Sequence, residues 1–231
     1  MPTGEALLRS RVFDGLTVAE RERWLSRATT ASFARGETLA RQGDPARSFY
    51  LLESGFLKLL QLTAEGTELI MRFVVPGEPF GGVVALSDAP YPVTAVAVQP
   101  SVVRMWSRET VAHLLGATPQ VRVNIMREIA THMTEALTRV RELTTARVGV
   151  RLAHTLLRLA RQCGRRTADG CVLITQPLTR QELADLTGTT LYTVSRTLTR
   201  WESEGLLETR KRLLLLRSLE KLEEVGGAED E

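Results

Sequence analysis

The sequence predicts an α+β protein with three parts: an N-terminal β-roll of the jelly-roll kind, a long dimerisation helix and a C-terminal winged helix-turn-helix. Glycine-punctuated strand-like runs fill residues 32–103, an apolar seam follows Pro119, and a glycine at position 188 separates two short amphipathic helices. We expect a β-roll with flanking helices over 1–118, the long helix over 119–145, the winged helix-turn-helix over 146–219 and an acidic tail over 220–231.

Length and composition narrow the class of protein. The 231 residues suffice for one large or two ordinary domains, and 43% hydrophobic residues is typical of a globular protein. No apolar run is long enough to cross a membrane, and the N-terminus lacks the apolar core of a signal peptide. Cys163 and Cys171 are too few for a disulfide framework or a four-ligand metal site. We therefore expect a cytoplasmic protein without metal, cofactor or membrane partner.

The N-terminal half changes from helical to strand-like patterns. Residues 5–28 have helical periodicity broken at Asp14-Gly15, and Thr17 is placed to cap the second piece. After residue 32, short runs rich in β-branched and aromatic residues alternate with glycines at the spacing of an antiparallel barrel or jelly roll. These glycines are expected to form turns: Gly36, Gly43, Gly55, Gly66 and Gly77.

A long helix is expected to follow the roll. Ser107 is placed to cap a short helix ending near Leu115, and Thr118-Pro119 is typical of a helix start. Over residues 120–144 the apolar positions form a heptad-like seam: Ile125, Ile129, Met133, Ala136, Val140 and Leu143. The seam could pack on its own β-roll, but its length favours a parallel interface with a second copy.

The C-terminal part predicts a winged helix-turn-helix. A helix over 147–161, a polar loop over 163–170 and a strand over 171–175 lead to Thr179, which with Glu182 fits a capping box. Gly188 ends the first motif helix because glycine adopts the left-handed conformation at little cost. The second helix has a buried stripe of Val194, Leu198 and Trp201. Residues 206–218 predict a hairpin wing, and the acidic, Gly-rich end is expected to fray.

Charge favours nucleic acid as the partner of this element. Residues 147–217 contain 13 Lys and Arg against six Asp and Glu, whereas the tail from residue 218 has one against six. The outward face of the second motif helix contains hydroxyls and arginines, which suits a DNA major groove. The alternative is a packed hairpin with a solvated basic face.

The order of these elements resembles the CRP/FNR superfamily of bacterial transcription regulators. The resemblance covers nearly the whole chain and is most specific in FARGETLARQGDPARSFYLLESGFLKL, RVGVRLAHTLLRLA and LTRQELADLTGTTLYTVSRTLTRWESEGLL. It implies a sensory, cyclic-nucleotide-binding-like β-roll, a homodimer joined by the long helix, and two recognition helices on a near-palindromic double-stranded DNA site. It also implies recruitment of RNA polymerase, touched by the loop 164–170, and favours activation over repression.

The resemblance assigns DNA contacts position by position. Arg196 matches the most regular base contact, and a guanidinium can bond guanine O6 and N7 together. Leu191 and Tyr192 depart from the Arg-Glu pair of the cyclic-AMP-responsive members, so we expect a half-site that keeps the guanine and differs beside it. The complete expected set is Thr179, Arg180, Gln181, Thr190, Leu191, Tyr192, Thr193, Ser195, Arg196, Arg200 and, in the wing, Arg210, Lys211 and Arg212.

The sensory site departs further from the family pattern. Val83 stands at the position of the carboxylate that binds ribose, and Val93 at or near that of the arginine that neutralises the cyclic phosphate. Burying a phosphate without a cation costs several kcal/mol, so we expect no tight binding of cyclic AMP. The expected effector pocket consists of Gly82, Val83, Val84, Val93 and Thr94.

Other sensors fit poorly. No cysteine precedes Cys163, which excludes the N-terminal iron–sulfur cluster of one branch of the family. The only histidines, at positions 113, 132 and 154, are weak candidates for haem ligands. An unidentified small organic effector, or activity set by expression level, remains.

A metal-dependent cupin-like enzyme with an appended DNA-binding domain is the competing hypothesis. Such chemistry needs clustered His and carboxylate ligands, yet no histidine occurs before position 108. No Ser-His-Asp, Cys-His or phosphate-cradling pattern appears either. The sequence therefore predicts a regulator and not an enzyme.

Overall fold

The structure is a computed structural model that describes residues 5–64, 66–210 and 212–227. The chain divides into two compact units, Met1–Glu135 and Ala136–Glu231. The division falls inside the long helix, so each unit includes one part of that helix. Among the described residues, no helix combines the length and the apolar character needed to span a bilayer.

The first unit begins with short helices around a buried tryptophan. Helix α1 is Glu5–Leu8, a 3₁₀ turn spans Arg11–Phe13, and α2 is Val18–Ser26. Thr17 caps α2 as predicted, and it does so through a capping box in which its hydroxyl and backbone N–H both donate to Glu20 Oε2. The Trp24 indole donates to Thr118 Oγ1 at 3.2 Å, and its carbonyl accepts from the Trp106 indole at 2.8 Å.

One antiparallel sheet forms the roll. In the described part it has the order β1-β6-β3-β4, with β2 paired to β6 and β5 to β3. The short helix α3 follows β5, and α4, capped by Ser107 as predicted, follows β6. The bounds are β1 Thr29–Phe33, β2 Thr38–Ala40, β3 Ser48–Leu62, β4 Glu68–Val74, β5 Pro79–Phe80, α3 Val83–Leu86, β6 Thr94–Ser107 and α4 Arg108–Ala117.

Both faces of this sheet are buried, as the side chains of strand β3 show. Phe49 and Leu51 join the cluster formed with the helices, whereas Tyr50 and Leu52 join the cluster inside the roll. Successive side chains of a strand point to opposite faces, so a strand covered on both sides is apolar at nearly every position. The run SFYLLESGFLKLLQL therefore lacks the alternation of a half-exposed strand.

Gly55 corrects one of the predicted turns. It lies inside β3 at a register shift, with φ of +103°, and a Cβ there would lie 2.5 Å from the Ser101 Cα. The Ser101 hydroxyl accepts from the Phe56 N–H at 3.2 Å and donates to the Gln99 carbonyl at 2.8 Å. Glycine is required here by a close approach of two strands at a bulge. The other four glycines lie between strands with positive φ: Gly36, Gly43, Gly66 and Gly77.

Helix α5, Pro119–Thr145, contains the predicted seam with one correction. Ile125 is only 1% exposed and packs in its own unit with Val121 and Trp106, so it does not face outward. The exposed apolar row lies beside it and includes Met126 and Leu137, which the sequence pattern already indicated as widening the seam. The row consists of Met126, Ile129, Met133, Leu137, Val140 and Leu143, with Ala136 also exposed.

The second unit contains a small sheet and the helix-turn-helix. Its sheet is antiparallel in the order β7-β8-β10-β9. Helix α6 precedes the sheet, α7 and α8 form the motif, β9 and β10 form the wing, and α9 ends the described chain. The bounds are α6 Val148–Cys163, β7 Gly164–Arg166, β8 Val172–Ile174, α7 Arg180–Thr187, α8 Leu191–Ser203, β9 Leu207–Arg210, β10 Leu213–Leu216 and α9 Leu219–Gly227.

Two segments of this unit differ from expectation. The polar loop over 163–170 begins with a strand, because Gly164–Arg166 pair antiparallel with Val172–Ile174 although all three residues are exposed. The tail expected to fray forms α9 up to Gly227, since Leu222 is fully buried and the helix packs on α6. Residues 228–231 lie outside the described residues.

The close approach at Gly55 generates a stability prediction. Gly55→Ala adds both left-handed strain and overlap with Ser101, so we expect it to lower the free energy of unfolding by about 3 kcal/mol or more. The matched control is Gly36→Ala, which has φ of +87° but open space around a Cβ and is expected to lose about 1 kcal/mol. Denaturant unfolding followed by tryptophan fluorescence measures both values, and equal losses would contradict the strand contact.

Candidate nucleic-acid interface

The helix-turn-helix is fixed by its own caps. The Thr179 hydroxyl accepts from the Glu182 N–H at 3.1 Å and donates to Glu182 Oε2 at 2.8 Å, as the capping box predicts. Gly188 ends α7 in the left-handed conformation, with φ of 59° and ψ of 47°. Thr190 then caps α8 by accepting from the Thr193 N–H at 3.2 Å. The hydroxyls of Thr179 and Thr190, both expected at DNA, are thus already bonded within the motif.

The outward face of α8 is the main candidate surface. Val194, Leu198 and Trp201 are buried as predicted, at 1% exposure or less. Leu191 is 47% exposed and Tyr192 is 69% exposed, although both are large and apolar. The predicted residues Thr193 and Ser195 are half-buried at its flank, and the exposed members of the face are Leu191, Tyr192, Arg196, Thr199 and Arg200.

Two arginines differ in their surroundings on this face. The Arg196 guanidinium carbon lies 5.9 Å from the centroid of the Tyr192 ring, one helical turn earlier. The Arg200 Nε lies 3.8 Å from Glu204 Oε1, in a largely exposed pair. Exposed ion pairs of this kind contribute little, so Arg200 remains available to an anion. Both cations can therefore meet DNA.

The start of α7 presents two further predicted residues. Arg180 is the first residue of the helix and is half-buried. Gln181 is exposed, and its amide donates to Asp185 Oδ1 at 2.7 Å. Because helix N-termini leave N–H groups without intrahelical partners and have a positive dipole end, this position suits a phosphate.

The arginines of the wing differ in whether they pair with a carboxylate. Arg210 Nε lies 2.6 Å from Glu208 Oε1, and Arg217 lies 2.6 Å from Glu208 Oε2. These hydrogen bonds, from Arg210 first and Arg217 second, lower the pKa of Glu208 to about 2. Arg210 is thus paired within the wing, whereas Arg212 is exposed in the left-handed region with φ of 71°. The predicted contact Lys211 lies outside the described residues.

Sequence reasoning missed the residues that hold the motif to the end of the long helix. The Arg151 guanidinium donates to the carbonyls of Ala146 at 2.6 Å, Thr187 at 2.8 Å and Gly188 at 3.5 Å. Its only sequence signal is its place on the polar flank of an amphipathic helix, which many solvated arginines share. One local and two long-range carbonyl contacts cannot be deduced from that spacing.

A buried carboxylate adds a second attachment. Glu142 is 5% exposed and accepts from Arg158 Nη1 at 2.8 and 2.9 Å, while His154 Nδ1 lies 3.0 Å away. Nearby, Arg139 donates to the Asp185 carbonyl at 3.4 Å. Burial, and then the charge of Arg158, lowers the pKa of Arg139.

The predicted effector pocket is packed with side chains of the roll. Val84 is 5% exposed, and Val83 and Val93 pack against a cluster that includes Tyr50, Phe80 and Tyr91. The Tyr50 and Phe80 rings stack at 4.5 Å between centroids, and burial raises the pKa of Tyr50. The remaining predicted members make contacts of their own. The Thr94 hydroxyl accepts from the Gln42 N–H at 3.0 Å, and a Cβ at Gly82 would lie 3.3 Å from Ile125 Cγ2.

The three histidines considered as metal or haem ligands lie on three different helices. His113 is exposed on α4, His132 is on α5 and His154 is on α6. Burial, and then the charges of Arg72 and Arg11, lowers the pKa of His132 to about 4. In the part of the chain that the structure describes, no three or more His, Cys, Asp or Glu residues are grouped to hold a metal ion.

Comparison with known proteins matches both halves of the chain. The family model of the cyclic nucleotide-binding domain matches residues 30–117, and that of the Crp-like helix-turn-helix domain matches residues 150–225. The transcriptional activator protein FnrA of Stutzerimonas stutzeri is 32% identical over 85% of this chain and 80% of its own. The cyclic AMP receptor protein of Thermus thermophilus is 30% identical over 94% of this chain and 97% of its own.

Solved structures agree with these sequence matches. The structure of FixK2 from Bradyrhizobium japonicum superposes with a TM-score of 0.77 at 26% identity, covering 88% of this chain and 99% of FixK2. The roll, the long helix and the helix-turn-helix therefore follow one another in the same order as in this known regulator. The chain belongs to the CRP/FNR family of transcription regulators and contains that family's helix-turn-helix DNA-binding domain.

Proposed function

We propose that this regulator acts as a homodimer that binds a near-palindromic DNA site, recruits RNA polymerase and needs no cyclic AMP. The observation that supports this most directly is the exposed face of α8, where Arg196 and Arg200 stand beside Leu191 and Tyr192. A core helix would bury its large apolar residues, and a solvated helix would present few of them. A face that mixes guanidinium and apolar groups suits base edges, which offer both acceptors and thymine methyls.

The proposed DNA contacts divide by chemistry. Arg196 reads a guanine, because its planar donors match the O6 and N7 acceptors. Arg180 at the start of α7, Arg200 on α8 and Arg212 in the wing bind phosphates and fix the register without reading sequence. Thr179 and Thr190 act mainly by fixing the two helix starts, since their hydroxyls are bonded there.

The dimer is proposed from the exposed row on α5. Met126, Met133, Leu137 and Val140 are between 55% and 63% exposed and lie on one side of a single helix. From position 126 to 140 the row extends about 21 Å, at 1.5 Å per residue. A continuous apolar surface of this length marks an interface. Because the row is a heptad-like seam, a second copy of the same helix fits it.

Activation through RNA polymerase is proposed on less direct grounds. The segment 164–170 presents Arg165 and Arg166 as exposed residues at the edge of the small sheet. This is where the family resemblance places the polymerase contact. The relative FnrA is named a transcriptional activator, which favours the same sign of regulation here.

Independence from cyclic AMP rests on the chemistry of the roll. A cyclic nucleotide brings an anionic phosphate, yet Val83 and Val93 stand at the positions expected to bind it and pack against a buried, largely apolar cluster. The Thermus relative is named a cyclic AMP receptor protein, so the fold alone does not decide the ligand. The residues at the site do, and they favour apolar packing over anion binding.

The first of three predictions from the proposed function concerns the recognition of a guanine by Arg196. Arg196→Ala removes the guanidinium, so we expect each half-site to lose about 1–3 kcal/mol of binding free energy, together with the preference for guanine at one position. The measurement is fluorescence anisotropy on the duplex selected from random DNA and on variants changed at that guanine. If Arg196→Ala weakened every duplex equally, the residue would be a phosphate contact.

Arg212→Gly is the matched control for this experiment. It also removes one guanidinium, but glycine relieves the left-handed backbone, so the free energy of unfolding should not fall. We expect a uniform loss of affinity for all duplexes and a shallower dependence of the dissociation constant on salt. An unchanged salt slope would remove the wing from the proposed interface.

The second prediction concerns the dimer. Leu137→Glu places two carboxylates in the proposed seam, so we expect sedimentation analysis to show monomers and DNA affinity to fall with them. Thr131→Glu makes the same change in charge at an exposed position on another side of α5 and should leave the dimer intact. A dimeric Leu137→Glu protein would show that the seam lies elsewhere.

The third prediction concerns the effector. Calorimetry of protein that binds DNA, titrated with cyclic AMP, should show no saturable heat up to millimolar nucleotide. The same titration should leave DNA affinity unchanged, because an unpaired phosphate is not stabilised by the valines at the site. Binding in the micromolar range would overturn independence from cyclic AMP while leaving the DNA-binding proposal untouched.

A further inference from the structure

Tyr192 is an exposed aromatic residue that the fold does not use for packing. Its side chain is 69% exposed, and the buried side of α8 is supplied by Val194, Leu198 and Trp201. Tyr192 and Arg196 are four residues apart, so they lie on the same face one turn from each other. The guanidinium carbon of Arg196 lies over the ring at 5.9 Å from its centroid. This distance is within the range of a cation–π contact.

An aromatic neighbour offers Arg196 no carboxylate or carbonyl that would accept its hydrogen-bond donors. A guanidinium donates hydrogen bonds only in its own plane, whereas a ring beneath it contacts its face. A carboxylate at the same position would accept those in-plane donors and compete with guanine for them. An aromatic ring therefore restrains the side chain without using the groups that recognise a base.

Restraint matters because arginine on an exposed helix is flexible. Its side chain loses considerable rotamer freedom when it is fixed against a base, and that loss weakens binding. A side chain that is already held near the binding conformation loses less. The ring of Tyr192 is placed to supply this restraint before DNA arrives.

We propose that Tyr192 is a positioning residue that holds Arg196 for guanine recognition through its ring and not through its hydroxyl. The inference rests on the proposed DNA contact of Arg196 and adds the source of its preorganisation. It assigns the Tyr192 position a role in sequence preference that requires no hydrogen bond from Tyr192 to a base. It also predicts that any aromatic residue will serve there.

The test is a double-mutant cycle on the full-length protein. Tyr192→Phe keeps the ring and removes the hydroxyl, Tyr192→Leu removes the ring, and each is combined with Arg196→Ala. Affinities are measured for the selected duplex and for the same duplex with 7-deazaguanine at the guanine assigned to Arg196, which lacks the N7 acceptor. Thermal unfolding checks that both substitutions at this exposed position leave stability unchanged.

The expected results separate ring from hydroxyl. Tyr192→Phe should bind like wild type, whereas Tyr192→Leu should lose about two- to fivefold per half-site. Tyr192→Leu should have no further effect when Arg196 is already alanine, and a smaller effect when the guanine lacks N7, because O6 still accepts from Arg196. Side-chain NMR relaxation of the Arg196 Nε–H without DNA should show greater mobility in Tyr192→Leu and not in Tyr192→Phe.

Three results would overturn the proposal in distinguishable ways. If Tyr192→Phe lost as much affinity as Tyr192→Leu, the hydroxyl would read DNA directly. If Tyr192→Leu lost affinity equally with and without Arg196, the ring would contact DNA by itself. If wild-type protein preferred no duplex, the proposed function would fail, and the NMR measurement on free protein would still report whether the ring restrains Arg196.

Discussion

The Arg151 guanidinium closes the C-terminal ends of two helices at once, and the placement of the recognition helix depends on it. The last carbonyls of a helix have no intrahelical partners and lie at the negative end of the dipole, so an arginine there satisfies both needs. Arg151 reaches Ala146 after α5 and the carbonyls of Thr187 and Gly188 that end α7. The end of the long helix and the turn of the motif are thereby held by one side chain.

Packing at the same place makes this attachment specific. A Cβ at Gly188 would lie 2.6 Å from Leu143 Cδ2, so the turn lies against the side of the long helix. Glycine is favoured at this position by its left-handed conformation, whereas the flexible end of Leu143 could move aside for a Cβ. The buried Glu142 with Arg158 joins α5 to α6 one turn earlier. Removing one partner of such a pair is costly because the other charge stays buried.

The features that could be predicted from the sequence are those that local interactions determine, such as helix caps and helix starts. The cap at Thr17, the capping box at Thr179 and the helix start at Pro119 depend on residues within one turn of each other. Strand β7, helix α9 and the burial of Ile125 depend on partners far along the chain. Gly55 shows the limit most clearly. A positive φ is equally compatible with a turn and with a bulge, and only the position of Ser101 distinguishes them.

The residues of the candidate interface could be predicted from the sequence, but the partners of their side chains could not. Periodicity identified which side chains of α8 face outward, because one helix has one buried stripe. The cap at Thr179 was predicted as well, but the sequence could not decide between Thr189 and Thr190 as the second cap or show that Glu208 pairs Arg210. Each of these choices requires atomic positions, since several partners lie within reach of each side chain in sequence.

The roll and the DNA-binding unit differ in the polarity of the side chains at their candidate sites. The motif keeps guanidinium groups exposed on a capped scaffold, whereas the roll packs Val83 and Val93, the residues expected at an effector site, against a cluster that includes Tyr50, Phe80 and Tyr91. A ligand entering that cluster would have to separate stacked rings and lose their contacts. An apolar effector could compensate for such a loss, but an anion could not. The chemistry therefore favours either an apolar signal or control through the concentration of the protein.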